Sequence, residues 1–144
     1  MAFGSNTCLT NIGRAMTADR IRTMPATYTK PPIWNAMGKG ATGAGRTADV
    51  TNTTLSCETE QRASGTESIV TTSVTGDTYK NVGLIIATSS CTTSCQSIDE
   101  AGLFDASSSG GGNMFASATF TVVQLGISDS LQLTWQVKYS TSTN

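Results

Sequence analysis

Not one histidine occurs in the 144 residues of this chain. That removes the side chain most often used for proton transfer near neutral pH, and also the commonest metal ligand. A serine or cysteine nucleophile has no imidazole base here, so the usual hydrolytic triads are excluded. Charge is also scarce: nine basic and ten acidic residues, 13% of the chain, are scattered along it and leave a formal charge of −1. Such a field is too weak to gather nucleic acid or an anionic membrane, and neither is expected as a partner. No apolar run approaches the ~20 residues that span a bilayer. The opening Met1–Thr7 has neither the basic start nor the apolar stretch of a secretory signal. The expectation is a non-enzymatic product without cofactor or metal, made in the cytoplasm and kept there or released by lysis.

Roughly three residues in ten are Ser or Thr, and the apolar fraction is 38%. Thr, Val, Ile and aromatic residues suit a pleated, half-buried surface, while Ser, Gly and Asn supply turns. One domain over 1–144 is expected: an arm at 1–9, a helix at 10–24, and an antiparallel β-sandwich of about six strands at 32–139.

Thr10 or Asn11 can cap a helix, and no proline interrupts 10–24. Leu9, Ile12 and Met16 fall on one stripe, whereas Ile21 lies about half a turn away, so either a second side faces a partner or the helix ends before Ile21 and the remainder is loop. Pro25, Pro31 and Pro32 then break helical structure, and Ile33–Met37 is a strand candidate. The polar, Thr-rich stretch from Thr47 to Arg62 reads as connection. The strongest period comes at the end, where Leu131, Leu133, Trp135, Val137 and Tyr139 alternate with polar residues. Met114 to Val122 alternates similarly, and the Leu125–Asp129 turn between them predicts two neighbouring antiparallel strands. Val82–Ala87 is apolar on both faces, as for a strand covered on both sides or meeting another subunit. Ile69, Val70 and Val74 mark a strand before it, across the Gly76-Asp77 turn. Ile98–Phe104 is a further strand, linked onward by the Ser/Gly-rich 107–113.

The motifs that suggest chemistry have plainer readings. Gly38-Lys39-Gly40-Ala41-Thr42-Gly43 satisfies G-x-G-x-x-G, but no helical period follows it, so a surface loop is expected. Asp99 with Glu100, or Glu58 with Glu60, would serve as a carboxylate pair only if both flanked a cleft. Glu100 is placed on the face of Ile98 and Phe104, where a structural bond or pairing with Arg62 or Arg46 is expected. Trp34 and Trp135 suggest a sugar platform, yet Trp135 shares its face with apolar neighbours and reads as core or interface. Four cysteines without a secretion signal are expected to be reduced. Cys91 and Cys95 are spaced wrongly for a zinc knuckle but suitably for a loop disulfide, and a separate alternative is that some thiols oxidise after assembly and cross-link subunits.

Several segments together resemble small virion proteins of tailed bacteriophages. They are Leu9-Thr10-Asn11-Ile12-Gly13, the Trp34-to-Gly40 strand and loop, Ile98 through Ala106, Gly110-Gly111-Gly112, Ala116 to Phe120, and Asp129 through Trp135, in matching order. The resemblance implies a virion structural protein without catalysis: a capsid decoration (cement) subunit, or a tail, baseplate or fibre-attachment adaptor. A carbohydrate-binding module for host surfaces is a reading of a different class, and a hydrolase stands last. The expected partners are copies of itself as a homotrimer, and the major capsid protein or other virion proteins. The arm before the helix and the loop at 38–46 are the expected grips, with Leu9, Ile12, Ile21, Lys39 and Arg46 as candidate interface residues. The four cysteines and the long polar stretch from Gly40 to Arg62 depart from the family pattern.

Overall fold

A computed structural model describes residues 7–21, 28–41, 44–72, 75–87 and 96–139, the side chains of 20, 21 and 96 excepted. In chain order the elements are β1 (Thr7–Leu9), α1 (Asn11–Ile21), β2 (Trp34–Gly38), β3 (Ala63–Ser64), β4 (Thr66–Val70), β5 (Thr78–Ile86), β6 (Gln96–Phe104), β7 (Met114–Leu125) and β8 (Ser130–Lys138). Among the described residues the fold is mainly β, with one short helix. One sheet runs β1-β7-β6-β2-β3 and the other β4-β5-β8, and every pairing is antiparallel.

The two sheets form a sandwich because their alternating residues share one core. Met37, Ala101, Leu103, Ala116 and Ala118 from the larger sheet meet Ile85, Leu131, Leu133 and Trp135 from the smaller. Burying such side chains contributes ~25 cal/mol per Å² of apolar surface, which is why the period-two pattern of β8 fixes its inner face. Helix α1 closes one side. Thr10, fully buried, receives the Gly13 N–H on its Oγ1 at 3.0 Å, as an N-cap does, and its hydroxyl reaches the carbonyl of Met114. A Cβ at Gly13 would lie 2.0 Å from the Phe115 carbonyl oxygen, so only glycine lets α1 approach β7 this closely.

Four expectations are corrected. The arm is not free along its whole length, because Thr7–Leu9 pairs with Ala116–Ala118 as β1. Strands β7 and β8 are not neighbours: β7 pairs with β6 and β8 with β5. The 126–129 corner donates Ser128 N–H to the Ala87 carbonyl and accepts the Ala87 N–H on Asp129 O, each at 2.9 Å, so it docks on the end of β5 and delivers β8 into the other sheet. Ile98 does not share a face with Glu100 and Phe104, since a register shift between Ile98 and Glu100 turns Ile98 inward to the core. The stretch 47–62 is more than a connection: it covers the outer face of the larger sheet, where Leu55 packs with Ala36, Phe104 and Met114.

Candidate interaction surface

The covering segment is held by charged and polar side chains rather than by apolar area. Glu100, at the centre of β6 and 1% exposed, accepts the N–H of Ser56 at 2.6 Å and that of Cys57 at 3.3 Å on one carboxylate oxygen. The Arg46 guanidinium lies 3.9 Å from its other oxygen. Burial pushes the Glu100 carboxyl above its ordinary range, and neighbouring Asp99 adds to this. The two backbone donors and Arg46 pull in the opposite direction. Asp99, also buried, accepts the Ala41 N–H at 3.1 Å and so pins the root of the 38–46 loop. Both acids of this pair therefore anchor backbone.

Arg62 performs the same service at the other end. Its guanidinium makes a two-pronged pair with Glu58, at 2.7 and 3.1 Å, and donates to the carbonyls of Ala106 and Gly111. It also lies 3.5 Å from the centre of the Phe104 ring. The expected partner of Glu100 is thus Arg46, while Arg62 takes Glu58. Asp105 completes the neighbouring turn by accepting both the backbone and side-chain N–H groups of Asn113.

Between the sheets a polar clasp links three strands. Trp135 Nε1 donates to Asn35 Oδ1 at 2.9 Å, and Asn35 Nδ2 donates to Asn81 Oδ1 at 2.9 Å. Gly83 makes room for it, because a Cβ there would come within 2.2 Å of Asn35 Nδ2. Trp135 is a core residue, as its apolar neighbours implied. The clasp was not foreseen; its only signal was an asparagine at an inward position of two strands.

At one end of the sandwich, Met16, Pro31, Pro32, Tyr79, Phe115 and Tyr139 line a cleft of about 410 Å³, with Thr17 and Glu67 at its polar margin. The Tyr79 hydroxyl donates to the Pro32 carbonyl at 2.9 Å, and burial, with Glu67 nearby, pushes its pKa up to about 12.

The expected interface residues fare differently. Leu9 and Ile12 are partly buried and pack against the molecule's own core. Arg46 is engaged with Ser56 Oγ, the Thr54 carbonyl and Glu100. Lys39 is exposed, at the start of the loop. The Ile21 side chain, Cys91 and Cys95 lie outside the described residues, whereas Cys8 and Cys57 are free thiols. Among the exposed large apolar residues, Leu84 and Ile86 lie side by side on the outer face of β5, 52% and 51% exposed, while Ile69, Val122, Ile127 and Tyr139 are exposed elsewhere. Val82–Ala87 is therefore covered on one face only. Among the described residues no helix is long and apolar enough to cross a membrane, and no cluster of acids and cysteines is arranged to hold a metal ion.

In comparisons with known proteins, no family model, no curated protein and no solved structure matches this chain.

Proposed function

We propose that this chain is a structural subunit of a tailed-bacteriophage virion, a decoration protein that reinforces the capsid by contacts with the major capsid protein and with copies of itself. The observation that carries the reading is how the buried charged groups are used. Glu100, Asp99, Asp105 and the Arg62–Glu58 pair all bind backbone or one another, so the molecule's polar chemistry holds a rigid cover in place. What remains outward is surface. On the smaller sheet it is Ser, Thr, Gln and Lys138 around a β5 stripe of Lys80, Val82, Leu84 and Ile86. The resemblance of the sequence segments to phage virion proteins supplies the class, and the β-sandwich is compatible with it.

The mechanism is differential burial. A decoration subunit adds apolar contacts and hydrogen bonds that only the assembled shell offers, so occupancy stabilises the shell by mass action. Burying a half-exposed Leu or Ile contributes about 1 kcal/mol or somewhat more, and repetition over many sites multiplies it. The test is a Leu84→Lys variant. The residue is outward, so the chain should fold as before, while its retention on washed particles should fall at least about ten-fold. Retention equal to that of the unmodified chain would contradict the reading of this face.

A further inference from the structure

We infer that β8 is a self-pairing edge, through which a second copy of this chain extends the smaller sheet across a two-fold axis at Thr134. The inference stands on the strand itself and goes beyond the question of where on a particle the chain sits.

Among the described residues the sheet edges are β3, β4, β8 and, on the fourth side, β1 with the part of β7 it does not cover, Thr119–Leu125, where the ladder to β6 shifts register as a bulged edge does. β3 has two residues, β1 has three and β4 has five. β4 additionally turns Glu67 toward the inner side, since Glu67 stands opposite Asn81 of the buried clasp. Short strands and inward-pointing charges are the usual protections against unwanted strand addition. β8 has none of them. It runs nine residues, Ser130–Lys138, with no proline, no glycine and no register shift against β5.

Its backbone has a defined open side. The Tyr139 N–H and the Asp129 carbonyl both bond toward the β5 side, to Asp77 and Ala87. Alternation along the strand then turns Leu131, Leu133, Trp135 and Val137 to the β5 ladder, and directs the N–H and C=O of Ser130, Gln132, Thr134, Gln136 and Lys138 to the other side. Among the described residues no strand pairs on that side.

The occupant follows from the sequence of the strand. Antiparallel pairing about Thr134 sets Thr134 against Thr134 of the second copy, Gln132 against Gln136, and Ser130 against Lys138. The outward-directed backbone groups then meet as hydrogen-bonded pairs, with Cα atoms ~5.5 Å apart. The strand's one charge falls opposite a serine, and the paired amides of Gln132 and Gln136 satisfy one another. On the inner face Leu133 meets Trp135, continuing the core across the axis. A strand that is its own complement in charge, hydrogen bonding and apolar pattern is matched by a second copy of itself. The contact is isologous, so it yields dimers or even-numbered assemblies, unlike the trimer expected from the sequence.

Sedimentation equilibrium of the purified full chain tests this. The expected result is a reversible dimer with a dissociation constant in roughly the micromolar range. Thr134→Pro removes a donor on the open side and leaves the β5 ladder intact, so it should weaken the dimer at least about ten-fold while the far-ultraviolet spectrum is kept. Should that variant not fold, Thr134→Lys keeps every backbone donor and sets two ammonium groups face to face across the axis. Its weakened dimer should recover at high salt, where charges are screened. A chain that stays monomeric at high concentration, a trimer, or a dimer indifferent to the folded substitution at Thr134 would overturn the inference.

Discussion

Glu100 shows at single-residue scale how this molecule uses charge. A carboxylate at 1% exposure is costly to ionise, and the Ser56 and Cys57 N–H groups together with Arg46 offset part of that cost. Its folded pKa lies above the unfolded one, so the stability it contributes is fully present below the unfolded value and is lost as pH rises through the folded value. Glu100→Gln keeps an oxygen for the two backbone donors and removes the titration. The melting temperature of the natural chain minus that of the variant should therefore decrease as pH is raised from about 4 toward 7. Thermal melts across that range check it, and a difference that grows with pH would contradict the assignment. None of this was legible in the sequence beyond the expectation of a structural bond to a nearby arginine. The donors lie more than forty positions away in a stretch with no period.

At the scale of elements, β8 was the easiest to read and the cover over the larger sheet the hardest. The alternation of Leu131, Leu133, Trp135 and Val137 is strict because one face of β8 meets the core and the other meets solvent. Its neighbour was misread for a physical reason: a five-residue turn between two alternating runs is the usual mark of a hairpin, but the bonds of this turn go to Ala87 at the end of β5. The face of Ile98 was misread because a bulge leaves no trace in composition. The 47–62 cover carries few apolar residues and is fastened through backbone groups and two arginines, so hydropathy alone presents it as a loop. That fastening is testable at Arg62. Arg62→Met keeps the apolar stem over Phe104 but leaves the Glu58 carboxylate without its guanidinium, with the Gly110 N–H still donating to it, and takes the donor from the carbonyls of Ala106 and Gly111. A loss of about 2–4 kcal/mol is expected, since breaking a largely buried ion pair strands its partner. Hydrogen exchange should rise first in 56–62 and 106–113 and leave β5 and β8 protected; uniform loss of protection would show that Arg62 supports the whole sandwich instead.

For the whole molecule, the described residues form a sandwich with a pinned cover over one sheet and a long open edge at β8. The general class of fold was legible from Ser/Thr-rich alternation, because period two and turn chemistry act locally. Which surfaces stay exposed was not, because it depends on how the two sheets face each other: Leu9 and Ile12 turn inward to the core, while Leu84 and Ile86 remain outside. The account holds that this outer surface is matched to a virion. Electron density of the intact, washed particle tests that most directly. The account predicts a small two-sheet body repeated at high copy number over the head, bound through protein–protein contacts. Density for a handful of copies at the tail would move the chain to an adaptor role, and infectious particles that lack the chain altogether would contradict the account.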